Sequence, residues 1–419
     1  MKITTLLTLL VFSSIFLIGS PKLENNRLKH VNDTVAIAKA IHEQLRNNKN
    51  DLYYPETVKR FYTKTDYKLL WVLPDTVKNH TWEAMLMLDC VLQFGLNHAD
   101  FHPEKLLFDK LHKLIDHYDT ISYTEKAKFD VLLTDAMITF MNQLHYGKLN
   151  PDYPARKIDR EKVDFRADQA LFNAFQSKEF MSAVVDAQPR SRRYRALQEQ
   201  MRLMTGQYVG DCYEVPEGQI KKVAINMERL RWINMNEDRF IEVNIPSSML
   251  SVHESDTVYN FKVVVGRPAH PTPILQSTIG YLMTTTRQKS NYTAASASID
   301  FCFPNTFDIG LYGTAGKKLF EKNDRAFSNG NIWVENAGKL AALLLKKEKD
   351  ISKMALMYKA IKNGEIRTFS LKKTMPIKVI YITSEVKNGV IVTYPDLYNL
   401  DKSMEKALYS VNPILTIVK

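Results

Sequence analysis

The sequence predicts an α+β protein, with an all-α N-terminal half followed by a β-rich C-terminal half. From about residue 32 to residue 205 apolar residues recur at helical spacing, and no strand-like alternation interrupts them. Between Phe240 and Gly266 three successive runs alternate between apolar and polar residues, which is typical of strands with one buried face. Near the C-terminus Asn388-Gly389 separates two further runs and predicts a tight hairpin. With 419 residues the chain has room for two domains.

Residues 1–20 predict export. Lys2 precedes an apolar stretch from Ile3 to Ile18, which is the pattern of a secretory signal peptide. The segment before Pro21 is a poor cleavage site, so an uncleaved N-terminal membrane anchor is an alternative. Everything after about residue 21 is expected to be soluble and exported.

The net charge of the chain restricts the classes of partner that it is expected to bind. Its 57 Lys and Arg against 46 Asp and Glu give a net charge of +11, which favours anionic surroundings such as a membrane face or a cell-wall polymer. The densest basic run, 190–195, precedes a helical pattern and resembles no nucleic-acid-binding motif, so no nucleic-acid partner is expected. The three cysteines, Cys90, Cys212 and Cys302, argue against a disulfide framework, although one bridge with one free thiol is possible.

Helical patterns in the N-terminal half cover 35–45, 54–62, 81–95, 124–147, 168–180 and 193–204. Thr81 can cap the third of these helices, and Thr124 opens the fourth. His98 and His102 have the four-residue spacing of a helical zinc pair. A turn is indicated by their neighbours, so hydrogen-bonded or exposed histidines are expected there, with no metal and no cofactor.

A polar connection at 206–220 separates the halves, and a helix resumes from Ile220 to Trp232. Strands are predicted at 240–246, 249–253, 259–266, 308–315, 377–386 and 390–394, with a helix at 337–347. The Ser-, Thr- and Ala-rich segment 284–300 is predicted to be a surface loop. The predicted domains are a signal peptide or anchor at 1–20, a helical domain at 21–205, a linker at 206–220 and a β-rich domain at 221–419.

The stretch from Asp324 to Glu335 is the candidate site. A polar turn with one glycine lies between Phe327 and a strand-like run, and it places Ser328, Asn329 and Asn331 at the lip of a sheet. Loops on a rigid scaffold often carry chemistry, so these three residues are candidates.

This loop resembles that of the L,D-transpeptidases, cysteine enzymes that cross-link bacterial peptidoglycan, in which it reads R-A-x-S-H-G-C-x-R-V-E. The retained frame is Arg325, Ala326, Ser328, Gly330, Val334 and Glu335. The reactive residues differ. Asn331 stands at the cysteine, Asn329 at the histidine before it and Trp333 at the arginine, while Tyr312 occupies the position of a strand histidine.

Other passages also resemble the large periplasmic members of this family. They are 54–72, 94–102 and 132–151 in the helical half, and 226–232, 263–273, 301–305 and 394–399 in the β-rich half. The resemblance implies a helical scaffold domain before a catalytic-type domain, and a location in the periplasm or elsewhere in a bacterial envelope. The 206–220 connection is too short for the peptidoglycan-binding module that many relatives carry.

Acyl transfer in this family needs a thiolate and a histidine base, and an asparagine amide replaces neither. The leading hypothesis is a catalytically inactive, peptidoglycan-binding or regulatory homologue whose partners are stem peptides or cell-wall enzymes. A first alternative is an active enzyme with a displaced nucleophile, Cys302 or Ser328, and a base such as His253 or His270. A second alternative is a structural protein in which Trp333 and Tyr312 fill the old pocket.

Overall fold

The structure is a computed structural model that describes residues 21–47, 51–74, 77, 79–206, 217–233, 237–255, 257–287, 296–314, 316–346 and 351–410. The predicted signal peptide or anchor, most of the predicted linker and Cys212 lie outside the described residues. Within the described residues, no helix is long and apolar enough to span a bilayer. The fold class is α+β, as the sequence predicts, with a helical N-terminal part and a β-rich C-terminal part.

The N-terminal part contains α1 (Pro21–Asn47), α2 (Pro55–Lys64), α3 (Thr81–Asp89), α4 (Phe108–Asp116), α5 (Tyr123–Tyr146), α6 (Ala155–Arg160), α7 (Ala167–Phe175), α8 (Phe180–Val185) and α9 (Arg192–Thr205). The predicted cap at Thr81 is wrong, and α5 begins at Tyr123 rather than at the predicted Thr124. Ser122 caps α5 by accepting a hydrogen bond from the Glu125 amide at 3.2 Å. Thr81 lies inside α3, and its hydroxyl donates instead to the Trp71 carbonyl at 2.6 Å.

Helix α5 runs through the core of the N-terminal part, and two buried carboxylates on it organise the surrounding chain. Asp130 accepts hydrogen bonds from the Tyr62 hydroxyl at 2.6 Å and from the amides of residues 70–72. Burial raises the pKa of Asp130 to about 6, although these hydrogen bonds act to lower it. Asp135 accepts from the Tyr54 amide and lies 2.7 Å from His102 Nε2. His102 is therefore a hydrogen-bonded core residue.

The C-terminal part begins with α10 (Glu217–Arg231) and continues into β1 (Arg239–Asn244), β2 (Met249–Glu254), β3 (Thr257–Gly266), β4 (Leu275–Arg287), β5 (Ser296–Cys302), β6 (Leu311–Gly313), β7 (Ala326–Ser328), β8 (Ile332–Val334), α11 (Ala337–Lys346), α12 (Ile351–Asn363), β9 (Arg367–Ile380), β10 (Ser384–Lys387), β11 (Val390–Thr393) and α13 (Leu400–Tyr409). The main sheet has the order β2-β1-β9-β4-β5-β6-β8-β3-β7. Because β2 also pairs with β3, the sheet closes on itself. Apolar side chains from its strands and from α11 and α12 form one core.

Three strand predictions need correction. The predicted loop 284–300 is strand at both ends, because β4 continues through Arg287 and β5 begins at Ser296. The predicted strand 377–386 is two strands, since β9 leaves the main sheet at Ile380 and β10 forms a separate hairpin with β11. The strand predicted at 308–315 is only three residues long. The predicted hairpin turn at Asn388-Gly389 is confirmed, with both residues at positive φ.

Helix α10 contacts the helical part through the two members of a fully buried ion pair, both of which lie on this helix. Arg231 Nη1 lies 3.2 Å from Glu228 Oε2, and both side chains have 0% exposure. Glu228 also accepts from the Leu149 amide at 2.7 Å, beside the turn that ends α5. Gly147 in that turn has φ +85°, and a Cβ added there would lie 2.5 Å from Glu228 Oε1. Glycine is therefore required where the two parts meet.

The opposite side of α10 holds the β-rich part. Asn226 accepts from the Thr383 amide at 2.8 Å and donates to the Thr383 hydroxyl at 2.9 Å. Arg229 Nη1 lies 2.5 Å from Asp401 Oδ1 on α13. Helix α10 thus makes polar contacts with both parts of the protein, and Arg193 of α9 adds ion pairs with Glu242 and Glu385.

We expect Glu228→Gln to lower the free energy of unfolding by about 3 kcal/mol or more, because it leaves the buried Arg231 without a countercharge. Chemical denaturation monitored by circular dichroism measures the loss. The matched control is Glu217→Gln on the same helix, where an 80%-exposed carboxylate pairs with Lys221. That variant is expected to leave the free energy of unfolding nearly unchanged, because water and salt screen an exposed pair. Equal losses in the two variants would contradict a structural role for the buried pair.

Candidate functional site

The candidate loop is held between the ends of three strands. Strand β7 pairs in parallel with the end of β3, where Ser328 stands opposite Gly266, and β8 lies between β3 and β6. The connecting turn contains Gly330, whose φ of +89° favours glycine. Thr272 fixes this turn, since its hydroxyl donates to the Gly330 carbonyl at 2.8 Å and accepts from the Gly266 amide at 2.8 Å.

Asn331 uses its side chain to close the loop. Its Oδ1 accepts a hydrogen bond from the Gly310 amide at 2.9 Å, and the next amide, that of Ile332, donates to the Gly310 carbonyl at 2.9 Å. The Ser328 hydroxyl donates to the Asn331 carbonyl at 2.5 Å, and Ser328 is buried. Asn329, by contrast, is exposed. The side chains of Ser328 and Asn331 are therefore part of the hydrogen bonding that shapes the loop.

Arg325 and Glu335 frame the loop at its two ends. The Arg325 guanidinium donates to four backbone carbonyls, at 3.1 Å to Val263, 2.9 Å to Lys322, 3.1 Å to Ser248 and 3.5 Å to Ser247. Burial lowers its pKa, and the Glu335 carboxylate opposes that shift. The contacts of Arg325 are those of a structural residue, and a binding role for the pair stays a prediction.

Trp333 and Tyr312 lie side by side on the face of the sheet opposite the main core. They are register partners in the parallel β6–β8 pair, and their neighbours Leu311, Ile332 and Val334 point into the core. The Trp333 ring packs edge-on against Phe327, with ring centroids 6.2 Å apart, in a small apolar cluster with Val264, Leu319 and Phe320.

Beside Tyr312 a cavity of about 510 Å³ opens on the same face of the sheet. Cys302 lines it, and the Tyr281 hydroxyl is hydrogen-bonded to the Cys302 thiol from the neighbouring strand. Burial raises the pKa of the Cys302 thiol, which outweighs the effect of that hydrogen bond. Gly310, the partner of Asn331, also lines the cavity. The cavity therefore adjoins the candidate loop.

The two histidines predicted as possible bases lie at different ends of the sheet. His253 pairs with Val258 of β3, eight residues from Gly266, which is about 26 Å along a strand. It stacks on Phe240, and burial lowers its pKa. His270 is exposed and close to the loop, because a Cβ added to Gly330 would lie 4.0 Å from the His270 carbonyl oxygen. The structure thus brings His270 near the loop and keeps His253 away from it.

Two family models match the chain. One, for a scaffold domain, covers residues 56–201, and the other, for the L,D-transpeptidase catalytic domain, covers residues 238–354 and includes the whole candidate loop. By this match, the β-rich part belongs to the L,D-transpeptidase family. The family predicted from the loop and its surrounding passages is confirmed.

Individual relatives are distant. A "Putative L,D-transpeptidase" of Haemophilus influenzae is 25% identical over an alignment 247 positions long, which covers 45% of this chain and 49% of that protein. The chain therefore spans about half the length of this curated relative. A crystal structure of a mutant L,D-transpeptidase from Enterococcus faecium is 14% identical, covers 34% of this chain and 50% of that one, and has a TM-score of 0.20.

Within this L,D-transpeptidase domain, sequence reasoning missed Tyr281, Asp300 and Thr272. Strand pairing sets the positions of the first two, because Tyr281 stands opposite Cys302 and Asp300 opposite Tyr312. The alternation of residues within 275–287 indicates a strand, but the polar composition after residue 283 favours a loop. Thr272 lies within the 263–273 passage that resembles the family, and nothing in its local sequence indicates its hydrogen bonds to Gly330 and Gly266.

We expect Asn331→Ala to lower the free energy of unfolding by about 1–2 kcal/mol, because the Gly310 amide loses its acceptor. Asn331→Asp keeps an acceptor oxygen and is expected to lose less. Urea unfolding curves measure both. The control is Asn329→Ala, an exposed position in the same loop, with an expected change within about 0.5 kcal/mol. A loss from Asn331→Ala no larger than that of the control would be inconsistent with the bracing role.

The raised pKa of Cys302 predicts a poorly reactive thiol. At pH 7.5 its thiolate fraction is smaller than that of a free cysteine, so iodoacetamide should label Cys302 more slowly than glutathione. The rate should rise as the pH is raised above the ordinary cysteine range. Peptide mapping by mass spectrometry resolves Cys302 from the other thiols, and labelling of the urea-unfolded chain provides the reference rate. Faster labelling than glutathione in the folded protein would refute the prediction.

Proposed function

We propose that this chain is a catalytically inactive L,D-transpeptidase homologue of a bacterial cell envelope that binds peptidoglycan stem peptides or a cell-wall enzyme. The observation that carries the proposal is the hydrogen bonding of the Asn331 side chain. At the position where the family has its nucleophile, the side-chain oxygen accepts a hydrogen bond from the Gly310 amide and helps to shape the loop.

The neighbouring groups do not supply the missing chemistry. Acyl transfer needs a nucleophile with an adjacent base, and an amide nitrogen is not a nucleophile because its lone pair is delocalised. Ser328 is buried and donates its hydroxyl hydrogen to the Asn331 carbonyl. The pKa of Cys302 is raised, which disfavours the thiolate. Tyr312 stands at the histidine position, and a phenol accepts a proton near neutral pH only if its pKa is strongly lowered.

Binding, in contrast to catalysis, has structural support. The loop frame is intact, and Tyr312 borders an open cavity rather than filling it. A purely structural protein would be expected to close this region. The net charge of +11 favours association with an anionic envelope.

The binding half of the proposal is tested by sedimentation of the purified protein, lacking residues 1–20, with purified sacculi. We expect retention above that of an unrelated protein of similar size and net charge, with part of the binding resisting moderate salt. Retention equal to that of the charge-matched control at every salt concentration would overturn wall binding. A cell-wall enzyme would then be the remaining proposed partner.

The inactive half is tested by intact-mass spectrometry after incubation with a carbapenem, which acylates the thiol of active family members. No adduct is expected, and no 3→3 cross-linked product from a tetrapeptide substrate. An adduct that peptide mapping places on Cys302 or Ser328 would show an active enzyme with a displaced nucleophile.

A further inference from the structure

Helix α12 has one face in the core and one face in solvent. Met357 is fully buried in the core of the β-rich part, whereas Leu356 and Tyr358 are 43% and 49% exposed. Lys359 and Lys362 are also exposed. At about 3.6 residues per turn, the two lysines lie in the middle of the exposed arc, with Leu356 at one edge and Tyr358 at the other. The solvent side of α12 is therefore both basic and apolar.

The chain that leaves α12 adds a further apolar side chain to this side. Gly364 has φ +69°, and the Glu365 amide donates to the Ala360 carbonyl at 2.9 Å, so the helix ends in a tight turn. Ile366 follows this turn and, at 68% exposure, is the most exposed large apolar side chain of the described residues. The α12 face is defined as Leu356, Tyr358, Lys359, Lys362 and Ile366.

The charge around the α12 face is concentrated and positive. Residues 351–373 contain six lysines and arginines against one glutamate, so this short stretch carries +5 of the net +11 of the chain. The glutamate, Glu365, is paired with Arg367 at 2.9 Å, and the Lys359 charge acts on it from a longer distance. Among the described residues, no carboxylate lies within ion-pair distance of Lys359 or Lys362. The face therefore attracts anions.

Strand β9 extends the same basic surface. The Lys353 ammonium group donates to the Ser370 carbonyl at 3.1 Å, which holds the beginning of α12 beside β9. Arg367, Lys372 and Lys373 are exposed on this strand. The positive charge thus lies on two adjoining elements of the β-rich part, and it can act on one extended partner.

The mixture of charge and apolar surface distinguishes between classes of anionic partner. Lysines are attracted to anionic lipid headgroups, and aliphatic and tyrosine side chains are stable in the interfacial layer of a bilayer. An anionic polysaccharide would satisfy the two lysines and leave Leu356 and Ile366 in water. Basic and apolar residues together on one helical face are typical of binding to a membrane surface.

We propose that the α12 face binds the surface of an anionic lipid bilayer, with its two lysines at the lipid phosphates and its apolar side chains among the headgroups. This contact is separate from the candidate loop and from the cavity beside Tyr312. It does not depend on stem-peptide binding or on the absence of catalysis.

Lysine acetylation by an N-hydroxysuccinimide ester reports the contact on the full chain. The rate at each lysine is measured by peptide mapping with vesicles of phosphatidylcholine, with vesicles of phosphatidylcholine and phosphatidylglycerol in equal amounts, and with dextran sulfate as an anionic polymer. We expect the mixed vesicles to slow acetylation of Lys359 and Lys362 in a saturable way, and phosphatidylcholine vesicles to leave it unchanged. The reference is Lys402, an exposed lysine on α13 whose rate should not change. Because the readout is local, attachment through residues 1–20 would not by itself protect the α12 face.

The double variant Lys359→Gln with Lys362→Gln removes two charges from the face. Its affinity for the mixed vesicles should fall about tenfold or more, because each lysine near an anionic bilayer contributes to binding. Sedimentation with vesicles measures the affinity of the protein lacking residues 1–20, as in the sacculus test. The matched control is Lys402→Gln with Lys406→Gln, which removes the same charge from two exposed positions on α13. Its affinity should stay within about twofold of the parent, because distant charges are screened by salt.

The apolar part of the contact is tested by Ile366→Ser. Its affinity for the mixed vesicles should fall about threefold or more, because the apolar side chain no longer leaves water on binding. The matched control is Val390→Ser, at a side chain of 65% exposure in the β10–β11 hairpin, and it should bind like the parent. Retention of Ile366→Ser on sacculi should be unchanged.

Acetylation of Lys359 and Lys362 that is unaffected by the mixed vesicles, or slowed equally by phosphatidylcholine alone, would overturn the proposal on the unmodified chain. Protection by dextran sulfate without protection by mixed vesicles would assign the face to an anionic polymer and overturn lipid binding. Equal losses of affinity in the two lysine pairs would reduce the attraction to net charge and also overturn it. Sacculus binding is scored separately, so failure of wall binding and failure of lipid binding are distinguishable.

Discussion

The buried pair of Glu228 and Arg231 on α10, with its hydrogen bonds to the helical part, is a contact on which the arrangement of the two parts depends. A fully buried ion pair needs hydrogen-bond partners for its remaining polar groups, and here most of those groups have one. The Leu149 amide and the Phe94 carbonyl of the helical part receive the two side chains. The pair itself lies within α10, but these hydrogen bonds form only when α10 is docked against the helical part, so they help to fix where the β-rich part begins. Its contribution is to orientation as much as to stability.

The candidate loop keeps its shape through contacts that do not depend on reactive side chains. The bonds that hold its shape run mainly through backbone groups, through Thr272 and through the Arg325 guanidinium. None of them needs a thiol or an imidazole. The loop could therefore lose its reactive residues and keep its conformation, with Asn331 contributing a further bond to Gly310. Persistence of the frame is evidence of common descent of the fold, and it says little about whether the reaction persists.

Local signals predicted the helices, the Asn388-Gly389 hairpin and the loop at 328–331, because each depends on residues close in sequence. Long-range pairing could not be predicted in the same way. The strand predicted at 377–386 breaks because Ile380 ends its ladder with β1, while Ser384 pairs with Thr393 in another sheet. The neighbourhood of Cys302 depends on the β4–β5 register, which polar residues near the connection obscured. Family motifs identified the fold. The distance between His253 and the loop, however, follows only from the three-dimensional structure.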